Sequence, residues 1–364
     1  MKIGIISMQK VVNYGSFMQA FALKSILEEI SSEKVFFIDI ENGKKIIQCT
    51  RKDKIRSMLL SIKNGLFFEK VRDKIYLKKL GTQFKNYFYN LLDLKDEYNS
   101  DKYDLAVIGS DEVFHCCQNT AWGFTKQLYG DVRNASQVIS YAGSFGATTS
   151  DLIEKYGLTS EIAESLNKLK GISVRDDNSY EIIKKLVPQA NVERNLDPVL
   201  LYDFSKKIDE TPDVFPKEKY LVVYSYTGRI SNSEEIKAIK EFAKSRKLKI
   251  YTIFCRYKWA DKAIIPESPF QMLRWFSKAE YVVSDTFHGT IFSIITHKKF
   301  CTLVRDSNHE KLSSLLESFK LKDRMIFNAN EIKDKIEISI DYDFVDEIRK
   351  KELERTMKYL EKFC

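Results

Sequence analysis

The chemistry of this sequence concentrates in YVVSDTFHGTIFSIITHKKF, residues 281–300, where His288 stands between a polar turn and an apolar run. Histidine has an ordinary pKa near neutrality, so it can carry a proton to or from a reacting atom at physiological pH. Tyr281 to Val283 predict a short buried strand, Ser284 to Phe287 a turn, and Gly289 onward a helix with apolar residues at 291, 292, 294 and 295. A turn at a strand's carboxyl end that opens a helix presents free N–H groups and the positive end of a dipole to whatever fills the crevice. An anion is the expected guest, with Ser284, Asp285, Thr286, Gly289 and Thr290 beside it and His288 as the proton carrier. The plainer role for His288 is a helix-entry residue bonded to a backbone carbonyl. His297, Lys298 and Lys299 are expected to close the helix with positive charge.

Two further strand ends carry chemistry. The continuous apolar run DLAVIG, 104–109, delivers Ser110 and Asp111. A short strand at 171–174 ends on Arg175, whose planar fork suits a carboxylate or phosphate, with pairing to Asp176 or Asp177 as the alternative. Small residues 142–146 allow a backbone to approach a ligand closely.

The elements that must position these residues begin at Lys2 to Met8, a strand, followed by a turn through Asn13, Tyr14 and Gly15. A helix from about Phe17 to Ile30 follows, with Ser16 and Gln19 at capping-box spacing, and then a strand at 35–40. Asp197-Pro198 predicts the cap and first position of a short helix. Residues 203–219 are polar with Pro212 and Pro216 and are read as a linker. A second α/β alternation occupies 220–342, and a charge-rich helix over 343–364 is expected to pack back on the first domain, 1–202. The fold class is therefore α/β, two Rossmann-like domains facing a central cleft. At 364 residues the chain exceeds one typical core.

Residues 44–95 interrupt this pattern with fourteen Lys and Arg against four Asp and Glu, a charge of +10 in a chain of +8. Ile55, Met58, Leu59 and Ile62, then Leu77, Leu80, Phe84, Phe88 and Leu91, fall at helical spacing. A solvated outer face is one reading of these basic amphipathic helices; docking to an anionic membrane or substrate is the sharper one. Nucleic acid has no supporting motif. The six cysteines form no CxxC pair, and Cys116 and Cys117 beside His115 match no zinc spacing, so no metal is expected. No run reaches the roughly 18 apolar residues of a membrane helix and no secretory signal opens the chain, which predicts a cytoplasmic protein, peripheral at the inner face of the membrane if the insert docks.

With these loops in view, the chain resembles the polysaccharide pyruvyl transferase family. The matching stretches, in the family's order, are NYGSFMQAFAL (13–23), DLAVIGSDEVF (104–114), SYAGSFG (140–146), ISVRDDNS (172–179), LDPVLL (196–201), VVSDTFHGTIFSI (282–294), KKFCTLV (298–304) and NHEKLSSLLE (308–317). They span most of the chain except 44–95. The resemblance implies a glycosyltransferase-B-like fold, phosphoenolpyruvate as co-substrate with no other cofactor, and a sugar acceptor, lipid-linked or part of a cell-surface polysaccharide, that receives a cyclic ketal. By the same matching, His288, Arg175 and Lys311 are active-site positions, and Asn13, Tyr14, Gly15, Ser16 and Asp111 lie on the acceptor side. Phe114 stands where many relatives have tryptophan, Glu112 where glutamine is common, and Lys299 where proline is. Phosphoenolpyruvate carries a phosphate and a carboxylate, which calls for a helix N-terminus and fixed cations, and its methylene carbon needs a general acid. Asp111 is the candidate to take the acceptor's hydroxyl proton. A nucleotide-sugar glycosyltransferase shares the architecture and is the alternative.

Overall fold

The computed structural model describes residues 1–47, 67–117, 119–212 and 214–364. The insert positions Ile55, Met58, Leu59 and Ile62 lie outside the described residues.

Two parallel sheets form the framework, because their central strands are apolar on both faces and bury only between helices. The first runs in the order β2-β1-β3-β4-β5-β6, from β1 (Ile3–Ile6), β2 (Val35–Phe37), β3 (Tyr103–Asp111), β4 (Ala135–Gly143), β5 (Ile172–Val174) and β6 (Val192–Arg194). The second runs β12-β11-β10-β7-β8-β9, from β7 (Tyr220–Tyr224), β8 (Lys249–Ile253), β9 (Lys262–Ile264), β10 (Tyr281–Ser284), β11 (Lys299–Leu303) and β12 (Met325–Ile326). All the pairings are parallel, with β1 in register on β3 from Ile3 opposite Leu105, and β7 on β10 from Leu221 opposite Tyr281. Strand order reverses between β1 and β3 in one sheet and between β7 and β10 in the other. A parallel α/β sheet binds ligands at such a reversal, outside the carboxyl ends of the strands. The arrangement is the two-domain, glycosyltransferase-B-like one expected.

Helix α1 (Tyr14–Ser31) starts three residues earlier than the spacing predicts. Asn13, not Ser16, is its cap, accepting from the Gly15 N–H at 2.7 Å, while Ser16 and Gln19 make no capping box. Ser16 is drawn instead to Asp111, and Gln19 donates to Ser7 Oγ and the Ser16 carbonyl.

The described part of the insert is structural. Helix α2 (Phe67–Gln83) continues through a π-helical turn at Phe84–Phe88, and Leu80, Phe84 and Phe88 are buried in the main core. Tyr76 Oη donates to the Ile264 carbonyl at 3.0 Å and Arg256 reaches Asp73 at 3.2 Å, so α2 straps the first domain to the second. Leu77, one of the predicted apolar positions, is exposed with Val71 and Ile75.

In the second domain, helices α3 (Ser233–Ser245) and α4 (Pro269–Lys278) precede α5 (Phe287–Ile295), which carries the histidine turn, and α6 (His309–Ser318). His297 and Lys298 close α5 through their backbones, His297 at φ 53° donating its N–H to the Ile294 carbonyl and Lys298 its N–H to the Ser293 carbonyl, while their side-chain charges turn away from the helix end. Lys298 donates to the carbonyls of Ser277 and Ala279 at the end of α4, and Lys299 already belongs to β11. The last helix, α7 (Tyr342–Glu361), returns to the first domain, where Tyr359 Oη donates to the Ser140 carbonyl at 2.8 Å and Arg349 to the Leu200 carbonyl at 2.6 Å.

Candidate active site

A cleft of about 800 Å³ lies between the domains and draws its walls from both strand-order reversals. From the first domain come Asn13 and Ser16 after β1, Asp111 at the end of β3 with Glu112 and His115 beyond it, and Arg175 after β5. The second supplies Tyr226 and Arg229 after β7, Thr286 to His288 after β10, and Ser307, Asn308 and Lys311 at the start of α6. Six sequence stretches, spread from residue 13 to residue 311, thus meet because each follows the carboxyl end of a strand.

His288 is 11% exposed, in the first turn of α5. Thr286 caps that helix, its hydroxyl accepting from the Gly289 N–H at 2.9 Å, and Ser284 Oγ donates to the Tyr224 carbonyl at 2.8 Å to fix the turn on β7. A side chain on Gly289 would collide with Ser284, Thr286 and Tyr224. Thr290 is fully buried, bonded to the Thr286 carbonyl and to Thr302. Ser284, Gly289 and Thr290 therefore build the turn, while Thr286 and His288 line the cleft.

Asp197, read from the sequence only as a cap, is the residue that ties the site together. One oxygen accepts the Val199 N–H at 3.1 Å, and the other lies 2.6 Å from Arg175 Nη1 and 3.4 Å from His288 Nε2. The cap role is real, and the second oxygen is the part that sequence missed. Burial pushes the Asp197 carboxyl up, but His288 and Arg175 outweigh it and hold it below the usual carboxylate range. The His288 contact is close enough for an ion pair but lacks hydrogen-bond geometry, leaving Nε2 without a bonded partner among the described residues.

Arg175 is 2% exposed and pairs with both Asp197 and Asp111, the latter at 3.1 Å, over the Phe287 ring at 4.5 Å. It does not pair with Asp176 or Asp177; Asp176 caps a helix and accepts from Ser144 Oγ. Its Nε has no bonded partner among the described residues. Asp111 takes Ser16 Oγ on its other oxygen at 2.8 Å and sits at φ 79°, in the left-handed region that a non-glycine residue occupies at a cost of about 1–3 kcal/mol. Burial raises the Asp111 carboxyl, yet Arg175 and His288 together hold it lower than usual.

Across the cleft, Lys311 Nζ meets Glu112 at 2.6 Å. Burial works against the Glu112 carboxylate, and Lys311 more than compensates. His115, whose Nδ1 bonds Thr148 Oγ1 at 2.7 Å, is pushed down to about 4, chiefly by burial. Asp285 has the opposite balance: it is fully buried, with the Nε atoms of Arg229 and Arg305 each 3.5 Å away, and burial prevails to raise its carboxyl. It stands behind the cleft wall rather than in it.

The first loop divides. Asn13 lines the cleft and donates to Tyr226 Oη across the domains at 3.0 Å. Tyr14 does not reach the cleft: it is fully buried against Phe84, Phe88 and Phe254, with centroids 5.2 to 5.9 Å away. Gly15 touches the catalytic candidate itself, since a Cβ there would coincide with the His288 ring. Phe114, one of the sequence departures, is buried against Tyr129 and Phe145 and is a core residue rather than a cleft contact.

Chemically, the cleft offers an imidazole beside an ionised carboxylate, an arginine with an unspent N–H, the N-terminus of α5 and a lysine. No helix is long and apolar enough to cross a membrane among the described residues.

Among solved structures, the chain is similar in path to the UDP-GlcNAc 2-epimerase of Methanocaldococcus jannaschii in complex with UDP-GlcNAc and UDP, at 12% identity over 96% of this chain and 92% of that one, TM-score 0.47. It is similar also to the UDP-GlcNAc 2-epimerase of Neisseria meningitidis bound to UDP-GlcNAc, at 10% identity over 98% and 100%, TM-score 0.48. The glycotransferase of kitacinnamycin aligns at 9% identity over 98% and 96%, TM-score 0.45. No function passes from them to this chain. No sequence match is found among curated proteins. The family model for polysaccharide pyruvyl transferase matches residues 13–307, a span holding His288, Arg175, Asp197 and the whole first loop, and the chain belongs to that family.

Proposed function

We propose that the chain transfers the pyruvyl group of phosphoenolpyruvate to two hydroxyls of one sugar, forming a cyclic ketal and releasing inorganic phosphate. The observation that carries this reading is a pair of buried nitrogens on residues lining the same cleft, His288 Nε2 and Arg175 Nε, that have no bonded partner among the described residues. Most buried polar groups are satisfied, so two orphans in one site suit a ligand rich in acceptors.

The residues divide the work. His288 gives its proton to the methylene carbon of phosphoenolpyruvate, and positive charge develops at C2. Asp197, 3.4 Å away, orients the imidazole. Arg175, fixed by Asp111 and Asp197 through one N–H on each terminal nitrogen, keeps further N–H groups for the donor. The first sugar hydroxyl adds to C2, the C2–O bond to phosphate breaks, and the second hydroxyl closes the ketal as its proton passes to the departing phosphate. An alcohol adding to so electron-poor a carbon becomes strongly acidic, so a weak base such as Asp111, its carboxyl held low by Arg175 and His288 against burial, is sufficient to take its proton. Ser16 and Asn13 lie on the same side for the acceptor.

An acceptor carried on lipid suits the exposed Val71, Ile75 and Leu77, which share α2 with Lys74, Lys78 and Lys79. Binding to anionic vesicles that weakens with salt is the check, and vesicle binding that is nil at low salt removes that part of the reading.

The reading as a whole is tested by calorimetry with phosphoenolpyruvate and with UDP-sugars in parallel. Binding of phosphoenolpyruvate alone is expected. Tight binding of a UDP-sugar with none of phosphoenolpyruvate overturns the proposal in favour of glycosyl transfer.

A further inference from the structure

We propose that Arg229 is the cation that receives the donor's phosphate group, an inference that rests on phosphoenolpyruvate being the donor. Arg229 follows β7, across the strand-order reversal from the His288 turn, and lines the cleft at 27% side-chain exposure. The argument is one of charge already spent. Arg175 has carboxylates at 2.6 and 3.1 Å, Lys311 has Glu112 at 2.6 Å, and Arg305 is held bidentately by Glu235 at 2.5 and 3.0 Å. Each of these cations is neutralised by a short contact.

Arg229 is different. Its one hydrogen bond among the described residues runs from Nη2 to the Ser307 hydroxyl at 3.1 Å. Its carboxylate, Asp285, stands 3.5 Å from Nε without hydrogen-bond geometry. Asp285 is fully buried while Arg229 is not, so the carboxylate anchors the guanidinium from behind and leaves its outer edge toward the cleft. The Tyr226 ring, 5.4 Å away, supports its flank.

This anchoring also sets the position. Asp285 is three residues before His288, and its carbonyl accepts from Asn308 Nδ2 at 2.8 Å. Asn308 precedes α6, whose first turn carries Lys311. Arg229, Ser307 and Lys311 therefore converge on one side of the histidine turn. With Lys311 held by Glu112, the guanidinium edge of Arg229 beside the Ser307 hydroxyl is what meets the charged, acceptor-rich oxygens of a phosphate monoester. The donor's carboxylate is then left for Arg175 and the start of α5, with C2 and the methylene between them, facing His288.

The test uses the whole chain, three substitutions and three probes: phosphoenolpyruvate, inorganic phosphate and pyruvate, each titrated calorimetrically. Arg229→Gln is expected to weaken phosphoenolpyruvate and phosphate by about ten- to a hundredfold, as for a lost hydrogen bond to a charged group, and to leave pyruvate unchanged. Arg229→Lys should retain more of the phosphate affinity than Gln does. Ser307→Ala, at an exposed position, should weaken phosphate a few fold and remains readable if Arg229→Gln fails to fold. Parental phosphate affinity in Arg229→Gln, or in Ser307→Ala and Arg229→Lys together, overturns the assignment while leaving the donor intact. A parent protein that binds neither phosphoenolpyruvate nor phosphate overturns both the assignment and the reading it rests on.

Discussion

Replacing Gly15 by alanine is a one-methyl perturbation aimed at His288 from the opposite domain. The added Cβ would lie 2.8 Å from His288 Cβ and nearer still to the ring atoms Cγ and Nδ1. Carbon atoms in ordinary contact stand about 3.5–4.0 Å apart, so the ring must retreat by about 1 Å or more. The stability terms largely offset: alanine is better than glycine in a helix by about 1 kcal/mol, and overpacking a tight site costs about 1–3 kcal/mol. The net loss is then at most about 2 kcal/mol, or under about 8 °C in Tm for a domain of this size. Displacing a catalytic group by about 1 Å, in contrast, costs on the order of a hundredfold in rate. The assay is phosphate release from phosphoenolpyruvate with an acceptor, alongside a thermal melt. Gly81→Ala is the control, because no described residue lies within 4 Å of a Cβ there, and it should leave the rate alone and stabilise α2 by roughly 0.5–1 kcal/mol. A folded Gly15→Ala protein with kcat within threefold of the parent would refute the placement of His288 at the chemistry.

Asp197→Asn keeps the Val199 cap but removes the charge shared by Arg175 and His288; a broken buried pair costs about 3–5 kcal/mol, so a fall of at least about 6 °C in Tm with a much larger proportional fall in kcat is expected, and a parental kcat would show the pair to be scaffolding only. Tyr14→Phe removes a buried hydroxyl that has no bonded partner among the described residues, so the variant should be as stable as the parent or more so, by up to about 1 kcal/mol, with unchanged acceptor KM; a raised KM would return Tyr14 to the acceptor site. For acid stability the signs differ among the carboxyls. Asp111, Glu112 and Asp197 are held below their ordinary values of 3.8, 4.5 and 3.8, so their contribution is complete above those values and is lost as pH falls below them. Asp285, raised above 3.8, contributes in the opposite sense, favouring the fold below that value and losing the effect as pH rises through its folded one. Three against one, the urea midpoint should drop steeply below about pH 4, and a midpoint constant down to pH 3 would contradict the pairings.

The strands that carry the site were legible because a strand buried on both faces must be apolar throughout, as LAVIG (105–109) and YLVV are, and the residues after each run fall at the ligand-binding edge. That logic located Asp111, Arg175 and His288 without contacts. It could not rank two neighbouring cap residues: Asn13 and Ser16 are both good caps, and Ser16 was claimed by a carboxylate 95 positions away. Tyr14 was misplaced for the same reason, since the rings that bury it come from Phe84, Phe88 and Phe254. Asp197 showed its local bond in the Asp-Pro signature, while its second oxygen answers only to tertiary structure. Arg229 has no motif; its position follows from strand order, which no single stretch encodes. Strands β6, β9 and β12, two or three residues each, are too short for a period to register.

The central claim is that His288 delivers the proton that turns the donor's methylene into a methyl group. Running the reaction in D₂O with phosphoenolpyruvate and a panel of sugar acceptors, and reading the products by mass, tests it directly. The parent should yield a pyruvyl ketal with a single deuterium in each methyl group, and His288→Gln should fold and bind donor but transfer almost nothing. Deuterated ketal formed by His288→Gln at close to the parental rate would contradict the account.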